Sequence, residues 1–321
     1  MAEASLKQKR LGWVGTGRMG RSLAGRLLRA GCDLAVYNRT RAKAEPLAEL
    51  GAKLVGTPAE LGDRDIVFTM VAGPDDFKQV VCGPGGLLGG DGAPGIVVDG
   101  TTVSPAASAD VRAEAAAHGT DLLAAPVSGN PKVVEAGRLT IVVSGPEAAY
   151  EHARPYLDLL AAGVTYVGEG ERARLVKICH NIMLGVVSQS LAEITVLAEK
   201  GGISRADFLA FLNESVMGST FTKYKTPALV NLDFTPTFTP PLLLKDFDLG
   251  FDAAREHGVP MPVAAAAAEL VRAMIGQGYT EVDFAALLEL EARAAGLELE
   301  AEDVPVSDGL ESQDDLAPLR A

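Results

Sequence analysis

The sequence predicts an α/β protein, a doubly wound parallel sheet domain followed by an all-α domain. Three observations carry this. In the first half, short unbroken apolar runs alternate with segments of helical period, and after Gly168 the strand-like runs stop. Unbroken apolar runs indicate strands buried on both faces, as in a parallel sheet covered by helices on either side. With 48% hydrophobic and 22% charged residues, the 321-residue chain has enough aliphatic surface for about two domains of ordinary size.

Strands are expected at 11–14, 34–37, 66–71, 96–99, 122–125 and 140–143, with helices at 19–30, 41–50 and 106–118 between them. From 171 to 200 runs a proline-free segment, about 45 Å long as a helix. Its centre (Ile182, Met183, Leu184, Val186, Val187) is apolar nearly all round and is therefore expected to be buried. Gly201 and Gly202 end it, and further helices follow at 204–213, 245–257, 262–277 and 283–295. Residues 298–321 hold eight carboxylates against Arg320 alone, a composition that reads as a disordered, dispensable extension. The expected domains are thus 1–168, 169–297 and an acidic tail, 298–321.

The net charge of −13 repels phosphate backbones and argues against nucleic acid as a partner. Cys32, Cys82 and Cys179 form no CxxC pair, and His118, His152, His180 and His257 have no ligand spacing, so neither a disulfide framework nor a metal site is expected. The polar start MAEASLKQKR has no apolar signal core, and no stretch reads as a membrane span. A cytoplasmic protein with no membrane partner is expected.

Gly15-Thr16-Gly17-Arg18-Met19-Gly20 is a GxGxxG between the first strand and the first helix. Its glycines allow a tight turn, backbone approach to a pyrophosphate, and close helix–strand packing, the Rossmann arrangement for a dinucleotide. A free ribose 2′-hydroxyl usually meets a carboxylate about 20 residues further on. Here Asn38, Arg39 and Thr40 stand in that place, and the planar donor fork of Arg39 suits a 2′-phosphate. The expected cofactor is NADP(H).

Lys177 and Asn181, four apart, share one face of the long helix among apolar neighbours. On spacing alone, Lys177 fits a proton donor or acceptor and equally a lysine snorkelling near a helix start. Lys245-Asp246 reads either as a charge for a substrate carboxylate or cofactor, or as a plain surface pair. Ser128, Gly129 and Asn130 follow a strand at the sheet edge where ligands bind, and their hydroxyl and N–H groups could cradle an anion or simply form a turn.

Together these residues resemble the β-hydroxyacid dehydrogenase family, the group of 3-hydroxyisobutyrate dehydrogenase, tartronate semialdehyde reductase and the glyoxylate/succinic semialdehyde reductases. The resemblance covers about residues 10–297. GTGRMG looks like the family's GxGxMG, Asp99 to Pro105 is similar to DxSTxxP, Ala125 to Gly129 matches APVSG, Lys177 with Asn181 matches KxxxN, and Lys245-Asp246 matches the KD pair. The resemblance implies Thr102 near the nicotinamide and assigns cofactor binding also to Val71 and Ala72, which stand where many members have Leu-Pro. It implies Lys177 as the proton donor, Asn181 holding the hydroxyl or orienting the lysine, and Ser128, Gly129, Asn130 and Lys245 binding a small carboxylate substrate. The reaction implied is hydride transfer between nicotinamide and a small hydroxy acid or its semialdehyde, in a homodimer or homotetramer. Asn130 and Thr237 stand where the family often has glycine, so no relative's substrate transfers directly. Imine reductases share the architecture but typically lack the lysine, as would a catalytically silent NADP-binding scaffold.

Overall fold

The first apolar run becomes the middle of a sheet. In the computed structural model, which describes residues 9–310, β1 (Arg10–Val14) lies between β2 (Asp33–Tyr37) and β4 (Ile66–Thr69). β3 (Lys53–Leu54), β5 (Ile96–Asp99) and β6 (Asp121–Ala124) complete the order β3-β2-β1-β4-β5-β6, parallel throughout. Alternate residues serve opposite faces. Leu11 and Trp13 pack with Leu23 and Leu27 of α1 (Arg18–Arg29) on one side. Val14 and Val67 pack with Phe77 of α3 (Pro74–Cys82) on the other. α2 (Glu45–Glu49) carries Pro46 in its first turn, and the helix expected at 41–50 is split, with a tight turn at Arg41–Lys43 ahead of it. α4 (Pro105–Ala117) joins β5 to β6, capped by the Ser104 hydroxyl.

The strand at Thr140–Val143 is not part of that sheet. It is β8, the centre of a separate three-stranded sheet, antiparallel to β7 (Val127–Ser128) and parallel to β9 (Gly163–Tyr166). Only two residues separate β6 from β7, far fewer than a parallel crossover requires. α5 (Pro131–Glu135) and α6 (Glu147–Leu160) fill the connections.

The chain divides into two compact units between Lys177 and Ile178, nine residues beyond Gly168. The division falls inside the long helix, α7 (Arg172–Lys200), because its first turn is tied to the first unit by buried ion pairs such as Arg174–Asp99. The second unit is all-α: the rest of α7, α8 (Arg205–Glu214), α9 (Thr220–Asn231), α10 (Pro240–His257), α11 (Pro262–Gly276) and α12 (Leu287–Ala294). Pro155 and Pro227 lie inside α6 and α9, two helices that the sequence reading left out. A proline normally argues against a helix interior. α9 is held instead by a reciprocal Ser219–Thr222 capping box and by buried Leu229 and Val230.

Three expectations need correction. α7 is not buried all round: Met183 and Leu197 are 67% and 72% exposed, and Val176 and Ile194 are also open. By length and composition α7 is apolar enough to cross a bilayer, contrary to the sequence reading, but half of its most apolar window is buried within the protein.

Nor do residues 298–310 form a disordered extension. The Glu302 carboxylate accepts from Arg205 N at 2.6 Å and Ala206 N at 3.1 Å, capping α8, and Leu310 is buried. The fully buried Arg205 guanidinium donates to Glu199, Val230 O and Glu300 O. Composition had suggested charge without structure, and these specific partners overrule it. A chain ending at Leu297 should lose about 1–3 kcal/mol of stability through the lost cap and hydrogen bonds. Thermal melting checks this against a chain ending at Leu310; identical melting would show that the segment contributes nothing. Residues 311–321 of the expected tail lie outside the described residues.

Candidate active site

The sheet order places a switch point between β1 and β4, where ligands of open parallel sheets bind at the carboxyl ends of the strands. Both strands end in candidate residues. Gly15, after β1, has φ +95°, and a Cβ there would meet Met70 O at 2.1 Å. At Gly20 a Cβ would lie 2.0 Å from Gly15 O, while Gly17 faces open space. Gly17 caps α1 without a side-chain bond, leaving the first-turn N–H groups for an anion. The Thr16 hydroxyl is buried with no partner among the described residues. Tight loop, open cradle and orphaned donor fit a dinucleotide pyrophosphate, flanked by exposed Arg18 and half-buried Met19.

At the end of β2, Asn38 turns inward. Its Oδ1 accepts from Thr16 N at 2.8 Å and its Nδ2 donates to Thr40 O, so Asn38 shapes the glycine loop. Arg39 is 82% exposed and pairs with Asp76 of α3 at 2.9 Å. An exposed pair of this kind is worth little and exchanges readily for a phosphate.

The loops after β4 and β5 are joined. Val71 N donates to Thr101 Oγ1 at 3.1 Å, and Thr101 donates to the buried Asp99 carboxylate at 2.7 Å. Ala72 is exposed and Thr102 half-buried beside this bond. After β6, Ser128 is half-buried, and Gly129 has φ +139°, where a Cβ would collide with Val133 and Leu139. Asn130 is buried and caps α5 through Val133 N at 3.0 Å, so its side chain is committed to the loop.

On α7, Lys177 is half-buried at the end of the first unit, and Asn181, one turn later, is buried in the second. Asn181 Nδ2 donates to Asp246 Oδ2 at 2.5 Å, and the His180 ring nitrogen meets Asn181 Oδ1 at 2.9 Å. The amide is therefore fixed in direction. Lys245 Nζ stands 3.5 Å from Asp246 Oδ1, and its side chain is 39% exposed. Thr237 Oγ1 donates to Asp283 at 2.6 Å.

The sequence reading missed Asp246 as the partner of Asn181 and Arg174 as the partner of Asp99, and it quoted Asp99 and Thr101 only as part of a motif. One signal was available: a carboxylate ending a buried strand, as Asp99 does, requires donors. Among the described residues no cluster of ligating side chains could hold a metal.

Residues 10–168 match the family model for the NAD binding domain of 6-phosphogluconate dehydrogenase, and residues 171–290 that for NAD-binding of NADP-dependent 3-hydroxyisobutyrate dehydrogenase. The chain is 32% identical over 280 residues to glyoxylate/succinic semialdehyde reductase 2, chloroplastic, of Arabidopsis thaliana, covering 87% of this chain and 78% of the relative. It is 30% identical over 293 residues to 2-(hydroxymethyl)glutarate dehydrogenase of Eubacterium barkeri, covering 91% and 97%. The crystal structure of a 3-hydroxyisobutyrate dehydrogenase from Salmonella typhimurium superposes with a TM-score of 0.80 at 27% identity, covering 88% of this chain and all of that one.

Proposed function

This chain belongs to the β-hydroxyacid dehydrogenase family as an NAD(P)-dependent oxidoreductase, and we propose that it reduces a small semialdehyde carrying a carboxylate, reversibly, with NADP(H). The observation that carries this reading is the Lys177–Asn181 pair on one helical face, with the Asn181 amide locked by Asp246.

When bound, the nicotinamide supplies the hydride to the carbonyl carbon or accepts it back. Lys177 gives a proton to the developing alkoxide in reduction and recovers it in oxidation. One N–H of Asn181 is committed to Asp246, which leaves the other to hold the substrate oxygen. Ser128, the N–H groups of Gly129 and Asn130, and Lys245 hold the carboxylate. Gly15, Thr16, Gly17, Arg18, Met19 and Gly20 receive the pyrophosphate, with Val71, Ala72 and Thr102 toward the nicotinamide. NADPH oxidation should be measured with glyoxylate, succinic, methylmalonic and tartronic semialdehydes and with a cyclic imine. Turnover of a semialdehyde supports the reading; turnover of the imine alone, or of nothing, opposes it.

The preference for NADP(H) rests on Arg39 standing where a ribose-binding carboxylate would be. Losing a charge-assisted Arg–phosphate pair costs about 1.5–3 kcal/mol. Arg39→Asp should therefore weaken NADPH far more than NADH, and Asp76→Asn, which frees Arg39, should not weaken NADPH. Titration by nicotinamide fluorescence checks both, and equal loss of the two cofactors in Arg39→Asp would overturn the preference.

The open apolar side chains Met183, Ile194 and Leu197 on α7, with Phe211 and Met217 beyond it, support a homodimer or homotetramer. Light scattering should give two or four times 33.4 kDa. A monomer at micromolar concentration would contradict this.

A further inference from the structure

We infer that Arg174 is a positioning residue, setting the direction of Lys177 and fixing the two strand-end loops that face the nicotinamide. The inference rests on Lys177 as the proton donor. Arg174 is 1% exposed near the start of α7, and its guanidinium is engaged by partners within the first unit. Nη2 meets Asp99 Oδ2 at 2.6 Å, Nη1 donates to Thr101 O at 2.6 Å, and Nε donates to Ser108 Oγ at 3.2 Å. The Phe77 ring lies 5.9 Å from its Cζ.

Asp99, which is fully buried, passes this order on. Its other oxygen accepts from Thr69 Oγ1 at 2.6 Å and Thr101 Oγ1 at 2.7 Å, and Thr101 Oγ1 in turn accepts from Val71 N. One guanidinium thus ties together the end of β4, the end of β5 and the first turn of α7. Around it, Arg112 holds Glu171 and Gly170 O, and Ser144 Oγ bonds both Gly170 O and Ala173 N. The helix start is therefore fixed in rotation as well as in place.

Three residues further on is Lys177. Positions three apart share a helical face and rise by about 4.5 Å, so the bearing of Arg174 sets that of Lys177. Stability alone is a poor explanation, since apolar residues often replace a buried ion pair at no cost in stability. What the pair adds is direction: a planar fork bonded along three separate vectors admits little rotation.

The test compares Arg174→Gln and Arg174→Lys with Lys177→Ala in the full-length protein. Arg174→Gln should lower kcat by about 10²-fold, the cost of misplacing a catalytic group by roughly 1 Å. Substrate KM should change little, and NADPH affinity should fall far less than kcat, because the glycine loop and Arg39 carry most of the cofactor's binding. Without cofactor, hydrogen exchange at the Val71 amide should speed up. Arg174→Lys should recover part of kcat, because it keeps the charge but loses the fork. Should Arg174→Gln fail to fold, Asp99→Asn/Arg174→Gln, which leaves no buried charge unpaired, carries the same expectations. A folded variant with wild-type kcat and exchange overturns the inference, as does a kcat loss matched by an equal loss of NADPH affinity. If Lys177→Ala keeps wild-type kcat, the proton-donor reading fails instead.

Discussion

Lys177→Ala is expected to lower kcat by about 10²–10⁴-fold, equivalent to roughly 3–5 kcal/mol of barrier, while NADPH still binds. Proton transfer from a placed side chain has that worth, and the glycine loop and Arg39 that would hold the cofactor lie in the first unit, far along the chain from Lys177. Lys177→Arg should not restore turnover, because a guanidinium stays protonated and cannot cycle a proton at neutral pH. Lys245→Ala should behave differently, chiefly raising substrate KM, since its charge is assigned to binding. Steady-state kinetics with cofactor titration separates these outcomes. Near-normal kcat in a folded, NADPH-bound Lys177→Ala enzyme would return the lysine to a packing role.

Lys225→Met should destabilise the second unit by about 3–5 kcal/mol, the cost of leaving a buried charge without its partner. Lys225 Nζ lies 2.6 Å from Asp283 Oδ1, with the two side chains 5% and 2% exposed. It also stands 4.4 Å above the Phe284 ring. Asp283 accepts further bonds from Thr237 N and Oγ1, Phe238 N and Ala285 N, so one carboxylate pins three segments. Burial alone would raise the Asp283 carboxyl, but the Lys225 charge and these hydrogen bonds bring it below its ordinary 3.8. A depressed folded value means that the stabilisation is complete above 3.8 and is lost as pH falls through the folded value. Urea unfolding at pH 7 and at about pH 3 should show this loss in the wild type and less of it in Lys225→Met. Lys225→Met/Asp283→Leu, with no charge left unpaired, should recover most of the stability. An unchanged urea midpoint for Lys225→Met would contradict the assignment.

The first unit was largely legible because its signals are local. Apolar runs give β1, β2, β4, β5 and β6 within one or two residues, and the glycines before α1 mark the loop directly. What the sequence concealed was pairing at a distance. Asn181 and Asp246 are 65 residues apart, and Asp99 and Arg174 are 75 apart, and no period or composition joins them. Thr237 stands out in the sequence as a departure from the family pattern, whereas its partner Asp283, 46 residues on, is not visible there. Pro155 and Pro227 concealed α6 and α9, because burial outweighs local propensity there. The acidity of the C-terminal segment concealed Glu302, one carboxylate with a specific place at the start of α8.

Isotope transfer tests the central claim most directly. The enzyme is supplied with NADPH carrying deuterium at both C4 positions of the nicotinamide and with the best semialdehyde of the panel, and the product is analysed by mass spectrometry. One deuterium at the carbinol carbon of a hydroxy acid is expected, at a rate that collapses in Lys177→Ala. NADPH oxidised without deuterium in a hydroxy acid, or no oxidation with any semialdehyde, would contradict it.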